Sequence, residues 1–225
     1  MISKVRKNTV AKQCSPSLHL LMLVLSKLQK VFFRLGSVGL GTRISLRAHF
    51  SGHTRGIHIG SKVQIGRNAS FSCDTASSKI VVGNLVLIHP SVMLVTGKDG
   101  SITIGDNSTV NPFSVLYGHG TLTIGAYVRI AAHTVMIPAN HRFDDRSIPI
   151  ALQGLRLQGI EIGADSWIGA GVRVLDGVSI GCGSVVGAGS IVTKSLPSYS
   201  VAVGVPARII GKRGDKEDGM HEAHN

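Results

Sequence analysis

Residues 166–194 read SWIGAGVRVLDGVSIGCGSVVGAGSIVTK, and an aliphatic residue returns at every sixth position: Ile168, Val174, Ile180, Val186 and Val192. An α-helix would place apolar residues three and four apart, and a half-buried strand would alternate every two, so a sustained period of six fits neither alone. It fits a solenoid. Each short strand supplies one inward aliphatic, and a turn leads to the next face.

Working outward from that stretch, the unit recurs upstream. IHIGSKVQIGRNASF (57–71) gives Ile59, Ile65 and Phe71, and KIVVGNLVLIHPSVML (79–94) gives Val82, Ile88 and Leu94. Further turns follow at ITIGDNSTV (102–110) and LTIGAYVRIAAHTVMI (122–137). The composition of the 225 residues agrees: 43% hydrophobic, only 4% aromatic, with 28 glycines, which suits a narrow interior of Val, Ile and small residues. Cys14, Cys73 and Cys182 are isolated and odd in number, so neither a disulfide framework nor a cysteine zinc site is indicated, and a reducing compartment is expected.

The formal charge of +12 is unevenly placed. Twelve Lys and Arg and no Asp or Glu occur before the first acid, Asp74; beyond it twelve bases meet twelve acids. Within this basic third, residues 1–16 read as an arm. SLHLLMLVLSKLQKVFFRLG (17–36) reads as a helix with Ser17 as N-cap and Gly36 as its stop. Leu18, Leu21, Met22, Leu25, Leu28, Phe32 and Leu35 form an apolar stripe, with Lys27, Lys30 and Arg34 elsewhere. The unbroken apolar run, Leu20 to Leu25, falls short of the roughly 20 residues a membrane span takes, and no small-residue cleavage site precedes Lys27. Two readings of the helix stand: a cap that hides one end of the solenoid, or a basic amphipathic helix on an anionic membrane surface.

IEIGADSWIGAGVRVLDGVSIGCGSVVGAGSIVTKSLPSYSVAVGVPARIIGKR (160–213) resembles the C-terminal signature of the hexapeptide-repeat acyltransferases, in the branch of galactoside, maltose, nodulation-factor and polysaccharide O-acetyltransferases. The resemblance extends over about residues 55–213 and implies an all-β solenoid, a left-handed parallel β-helix, wound against the usual crossover preference. The expected layout is a basic arm and amphipathic helix over 1–36, the β-helix over 37–213 with a protruding loop at 139–159, and a flexible polar tail over 214–225. The family implies a homotrimer with active sites in clefts between prisms, acetyl-CoA as co-substrate and a sugar or glycan acceptor.

The repeat fails at ANHRFDDRSIPIALQGLRLQG (139–159), which gathers His141, Asp144, Asp145, Arg142 and Arg146. A solenoid gains no core from such an interruption, and loops on a rigid scaffold are where function sits. In the resembled family the general base lies here, and His141 matches it; a histidine is available as a neutral base near pH 7. Asn111 opens NPFSVLYGHG thirty residues earlier and matches an asparagine that reaches the acceptor, with a side chain able to donate and accept; as a turn residue it would need no such role.

Trp167, the one tryptophan, matches the wall of the acetyl and pantetheine channel, with a trimer-interface anchor as the competing reading. Gly169 and Gly187 would let an extended cofactor lie close, with hydrogen bonds at Ala188 and Ser166. Lys194 and Arg208, with Lys212 and Arg213 beyond, match the region that meets the phosphates of coenzyme A. Arg142, Arg146 and Arg156 suit an acidic or nucleotide-linked acceptor. Neither a metal nor nucleic acid is expected, and the reading places the protein in the cytoplasm or on the inner face of its membrane. The competing functions are an N-acyltransferase on a nucleotide-linked amino sugar, a γ-type carbonic anhydrase, which needs three histidines converging on zinc, and a non-catalytic scaffold.

Overall fold

The residues six apart become rows that run the length of a three-sided prism. In the computed structural model, which describes residues 16–215, the chain winds through seven coils of a left-handed parallel β-helix. Face 1 runs from Ser37–Val38 to Ser179–Ile180, face 2 from Arg43–Ile44 to Ala207–Lys212, and face 3 from His49–Gly52 to Ile191–Val192. Register aligns the rows: Ile104 pairs with Val82 and Ile124 on face 1, Ile168 with Ile130 and Val186 on face 2, and Val174 with Met136 and Val192 on face 3. All of these are buried, and one contiguous core results. Strands in this interior are two to four residues long, because each supplies one or two inward side chains before the chain must turn.

The turns explain the remaining punctuation. At the edge between faces 2 and 3, Asn68, Ser91, Phe113, His133, Gly171 and Gly189 occupy successive coils with positive φ, from 58° to 71°. A left-handed residue is thus required at the corner, and glycine only eases it. A glycine follows every face 1 strand and three of the face 2 strands, where Ser45, His89, Asn111 and Ala131 hold the same place in other coils; a Cβ on Gly169 would lie 2.6 Å from the Ala188 nitrogen one coil on. At Gly169 the backbone of the next coil is too close for a Cβ without a local shift. Corner hydroxyls tie the coils further, with Thr42 Oγ1 donating to Gly60 O (2.7 Å) and Ser108 Oγ to Gly125 O (2.9 Å).

Helix α1 (Pro16–Phe32) covers the first coil, and Phe33 packs at a tilt against Phe50 (4.8 Å), which stacks on Phe71 (5.0 Å) in the core. The helix stops earlier than the sequence suggested. Arg34 takes the left-handed conformation (φ 53°), while Gly36 is needed because a Cβ there would meet Arg55 O at 2.3 Å. Most of the apolar stripe points away from the solenoid: the helix faces it with Met22, Leu23, Ser26 and Gln29, and leaves Leu21, Leu25, Leu28 and Phe32 exposed. At the other end Ser200–Gly204 and Ala207–Lys212 form an antiparallel hairpin that extends face 2. Residues 1–15, with Cys14, and the tail from 216 lie outside the described residues.

Candidate active site

The interruption at 139–159 leaves the prism at the edge between faces 3 and 1, after coil 5. Asn140–His141 pairs antiparallel with Leu155–Arg156, opposing His141 to Leu155, and this two-stranded root carries the rest of the loop outward. The return is pinned: Asp176 Oδ1, on the next coil, accepts the backbone N–H of Gln158 and Gly159, both at 2.9 Å. Farther out, Gln153 Nε2 donates to the carbonyls of Asp145 (2.7 Å) and Ile148 (2.8 Å). The Ser147 side-chain and backbone donors hold the Asp145 carboxyl below its ordinary range. His141 itself is exposed and makes no side-chain hydrogen bond among the described residues.

Asn111 stands elsewhere. It follows Thr109–Val110 at the edge between faces 2 and 3 in coil 4, half-buried. Its Nδ2 donates to Ile130 O at 2.8 Å, tying two coils, so the donor half of the amide is committed and Oδ1 is left. The left-handed corner residue is Phe113 rather than Asn111. Face 3 separates Asn111 from His141; its four-residue strands span on the order of 13 Å. One prism therefore does not bring the two residues together.

Trp167 lies on the outer side of face 2, 57% exposed, between Arg129 and Val185 in the ladder. Ser166 precedes Trp167 at the corner of the same coil. Its side chain is buried and Oγ donates to Gly181 O (3.2 Å), the same corner role as Ser108, so the hydroxyl is turned away from any ligand surface. What that coil offers outward is Ala170. At the edge between faces 2 and 3, the N–H groups of Ala132, Ala170 and Ala188 have no acceptor among the described residues. They follow one another at the coil spacing of about 4.8 Å. In coils 3 and 4 the same corner position is Pro90 and Pro112, with no N–H to offer. The run of donors uninterrupted by proline therefore begins at coil 5, next to Trp167; a matching run, Ala126, Ala164 and Cys182, lies at the edge between faces 1 and 2. Its sequence signal is Ile-Ala-Ala (130–132), Ile-Gly-Ala (168–170) and Val-Gly-Ala (186–188), against Ile-His-Pro and Val-Asn-Pro earlier. The resemblance pointed to Ala188 alone among the three.

Gly169 and Gly187 line this edge: at Gly169 the limit is the backbone of the next coil, whereas a Cβ on Gly187 would meet the Val203 Cγ1 methyl at 2.6 Å. Arg208 pairs with Val203 in the terminal hairpin, which puts it at the end of the column. Lys194 is exposed beyond Ile191–Val192, on the side of face 3. Arg213 is taken from the expected phosphate group by an ion pair to Asp165 (2.7 Å). His133 and His141, eight residues apart, do not meet: His133 stacks on Phe113 (5.2 Å) at one edge, and His141 roots the loop at another.

Comparison with known proteins agrees with this geometry. A family model described as the hexapeptide repeat of succinyl-transferase matches residues 159–194. The galactoside O-acetyltransferase of Escherichia coli K12 is 37% identical over 162 residues, 70% of this chain and 58% of that protein. WcaF of the same strain, named for colanic acid biosynthesis and acetyl transfer, is 35% identical over 136 residues, 60% of this chain and 71% of its own. The Bacillus cereus N-acyltransferase AntD, crystallised with dTDP and coenzyme A, superposes with a TM-score of 0.60 at 26% identity, covering 84% of this chain and 89% of that one. Across the first curated relatives the matched span runs from 50% to 83% of their own length. On the sixfold rows and these matches, the chain belongs to the hexapeptide-repeat acyltransferase family.

Proposed function

We propose that the chain is an acetyl-CoA-dependent O-acetyltransferase acting on a sugar hydroxyl of a bacterial surface polysaccharide or its precursor, in the cytoplasm. The observation that carries the reading is the column of unpaired N–H donors at Ala132, Ala170 and Ala188 beside the exposed Trp167. Small side chains and evenly spaced donors suit an extended amide-bearing arm, and Arg208 at its end suits phosphate. When bound, acetyl-CoA supplies the acyl group as a thioester. His141 accepts the hydroxyl proton as the sugar oxygen forms its bond to the thioester carbonyl carbon, and returns that proton to the departing sulfur. Asn111 Oδ1 accepts from a hydroxyl of the sugar and orients it, while backbone N–H donors meet the developing oxyanion.

Because Asn111 and His141 lie at different edges of one prism, the reading requires a homotrimer, with one copy's edge between faces 2 and 3 set against the neighbour's loop. The exposed Phe143, Ile150 and Leu152 of that loop supply an apolar contact for such a neighbour.

A second reading, N-acylation of a nucleotide-linked amino sugar, is favoured by the likeness to AntD over most of the chain. Labelled acetyl-CoA incubated with hydroxyl and amino-sugar acceptors, read by mass spectrometry before and after hydroxylamine, separates the two. Hydroxylamine removes an ester and spares an amide. Label on an amine that survives hydroxylamine would replace the first reading with the second, and no transfer to any saccharide would overturn both.

A further inference from the structure

Helix α1 turns about 100° per residue, so the arc opposite its packed side carries Leu21, Val24, Leu25, Leu28, Val31 and Phe32. All six are exposed, from 46% at Val24 to 74% at Val31. A continuous apolar arc of this size on a surface helix marks a contact with something other than water. Lys27 and Lys30 flank it, exposed as well. Arg34, Arg55 and His58 wall a cleft with two arms, one opening beside Lys30 and Val31 (about 660 Å³) and one reaching past His53 to Lys79 (about 620 Å³). Every ionisable group lining it is basic. Its wall is fixed by Thr54 Oγ1 donating to Arg34 O (2.8 Å) and by Ser37 Oγ against His58 Nδ1 (3.0 Å). None of Lys30, Arg34, Arg55 and Lys79 forms an ion pair among the described residues.

We infer that this end of the prism docks on an anionic phospholipid bilayer, with the apolar arc of α1 in the interface and headgroup phosphate in the cleft of Arg34, Arg55 and His58. The charge distribution identifies the occupant. No acid precedes Asp74, so a second copy presenting the same face would bring like charges together, whereas an anionic surface complements both the cleft and the four further bases Lys4, Arg6, Lys7 and Lys12. Guanidinium groups suit phosphate by their forked donors. Among the described residues no helix is long and apolar enough to cross a membrane, so the contact is with the surface.

The test uses the full chain, sedimented with vesicles of phosphatidylcholine alone or with phosphatidylglycerol, at low and high salt. The protein is expected on the anionic vesicles, at least tenfold more weakly on phosphatidylcholine, and with affinity that falls as salt rises. Leu25→Asp with Leu28→Asp lowers partitioning at least tenfold. Arg34→Gln with Arg55→Gln lowers it about 25-fold, at about fivefold per basic residue. These side chains are exposed, so both double variants retain the wild-type circular dichroism and acetyl transfer to a soluble acceptor, which keeps this test separate from that of the catalytic reading. Wild-type protein that ignores anionic vesicles at low salt overturns the inference, as does full binding by the aspartate variant. Displacement by inorganic pyrophosphate at equal phosphate would show that the cleft takes a soluble anion, and loss of oligomer mass in the aspartate variant would show a contact between copies; either result also overturns it.

Discussion

Gly169 tests whether backbone stacking, rather than a ligand, demands glycine at this point of coil 6. In Gly169→Ala the new Cβ starts 2.6 Å from Ala188 N and 2.7 Å from Val186 O, so ordinary contact at 3.4 Å asks coils 6 and 7 to part by about 0.8 Å. The hydrogen bond from Gly169 N to Val186 O, now 2.8 Å, would stretch by a similar amount and leave the bonding range. Overpacking of this kind costs about 1–3 kcal/mol, and one lost backbone bond about 1 kcal/mol more. For a chain of this size each kcal/mol lowers Tm by about 2–4 °C, so the variant should melt about 4–16 °C below wild type. Gly189 is the control. It has φ 71° but nothing within 4 Å of an added Cβ, and Asn68 and His133 hold the same corner conformation in other coils. Gly189→Asn should therefore cost at most about 1 kcal/mol. Both are measured by thermal unfolding without ligand. A Gly169→Ala variant that melts with wild type, or above Gly189→Asn, would refute the stacking argument.

His141→Ala should lower kcat by about 10²–10⁴-fold with acetyl-CoA affinity near wild type, read by initial rates and calorimetry; normal turnover removes the base assignment. Asp176→Ala should free the loop return and lower kcat, while Asp176→Asn, which keeps an acceptor for Gln158 and Gly159, should largely restore it; limited proteolysis of 139–159 reads the loosened loop directly. Burial pushes the Cys73 thiol up from its ordinary range, whereas Cys182 is exposed, so an aqueous thiol reagent near pH 8 should label Cys182 first and Cys73 only on unfolding. Light scattering should give three chains per particle, and a fully active single chain would contradict a site assembled from two prisms.

The architecture and the site differ in how far they can be read along the chain. Ile59, Ile65 and Phe71, or Ile168, Val174 and Ile180, announce the prism because a coil contacts only its neighbours, so period alone fixes which side chains point inward. His141 and Trp167 stand out for the same reason, as breaks in a regular pattern. Stacking decided the rest. Ser166 and Ala170 are four residues apart in one coil, yet the hydroxyl is spent on Gly181 O and the alanine N–H is left open, a distinction set by which atoms the next coil covers. Helix α1 reads as amphipathic in sequence, but which arc it buries was decided by Met22, Ser26 and Phe33 meeting the first coil, leaving Leu25 and Leu28 outside. The separation of Asn111 from His141 likewise needs the fold, because thirty residues of sequence do not say which edge of a triangular coil each one reaches.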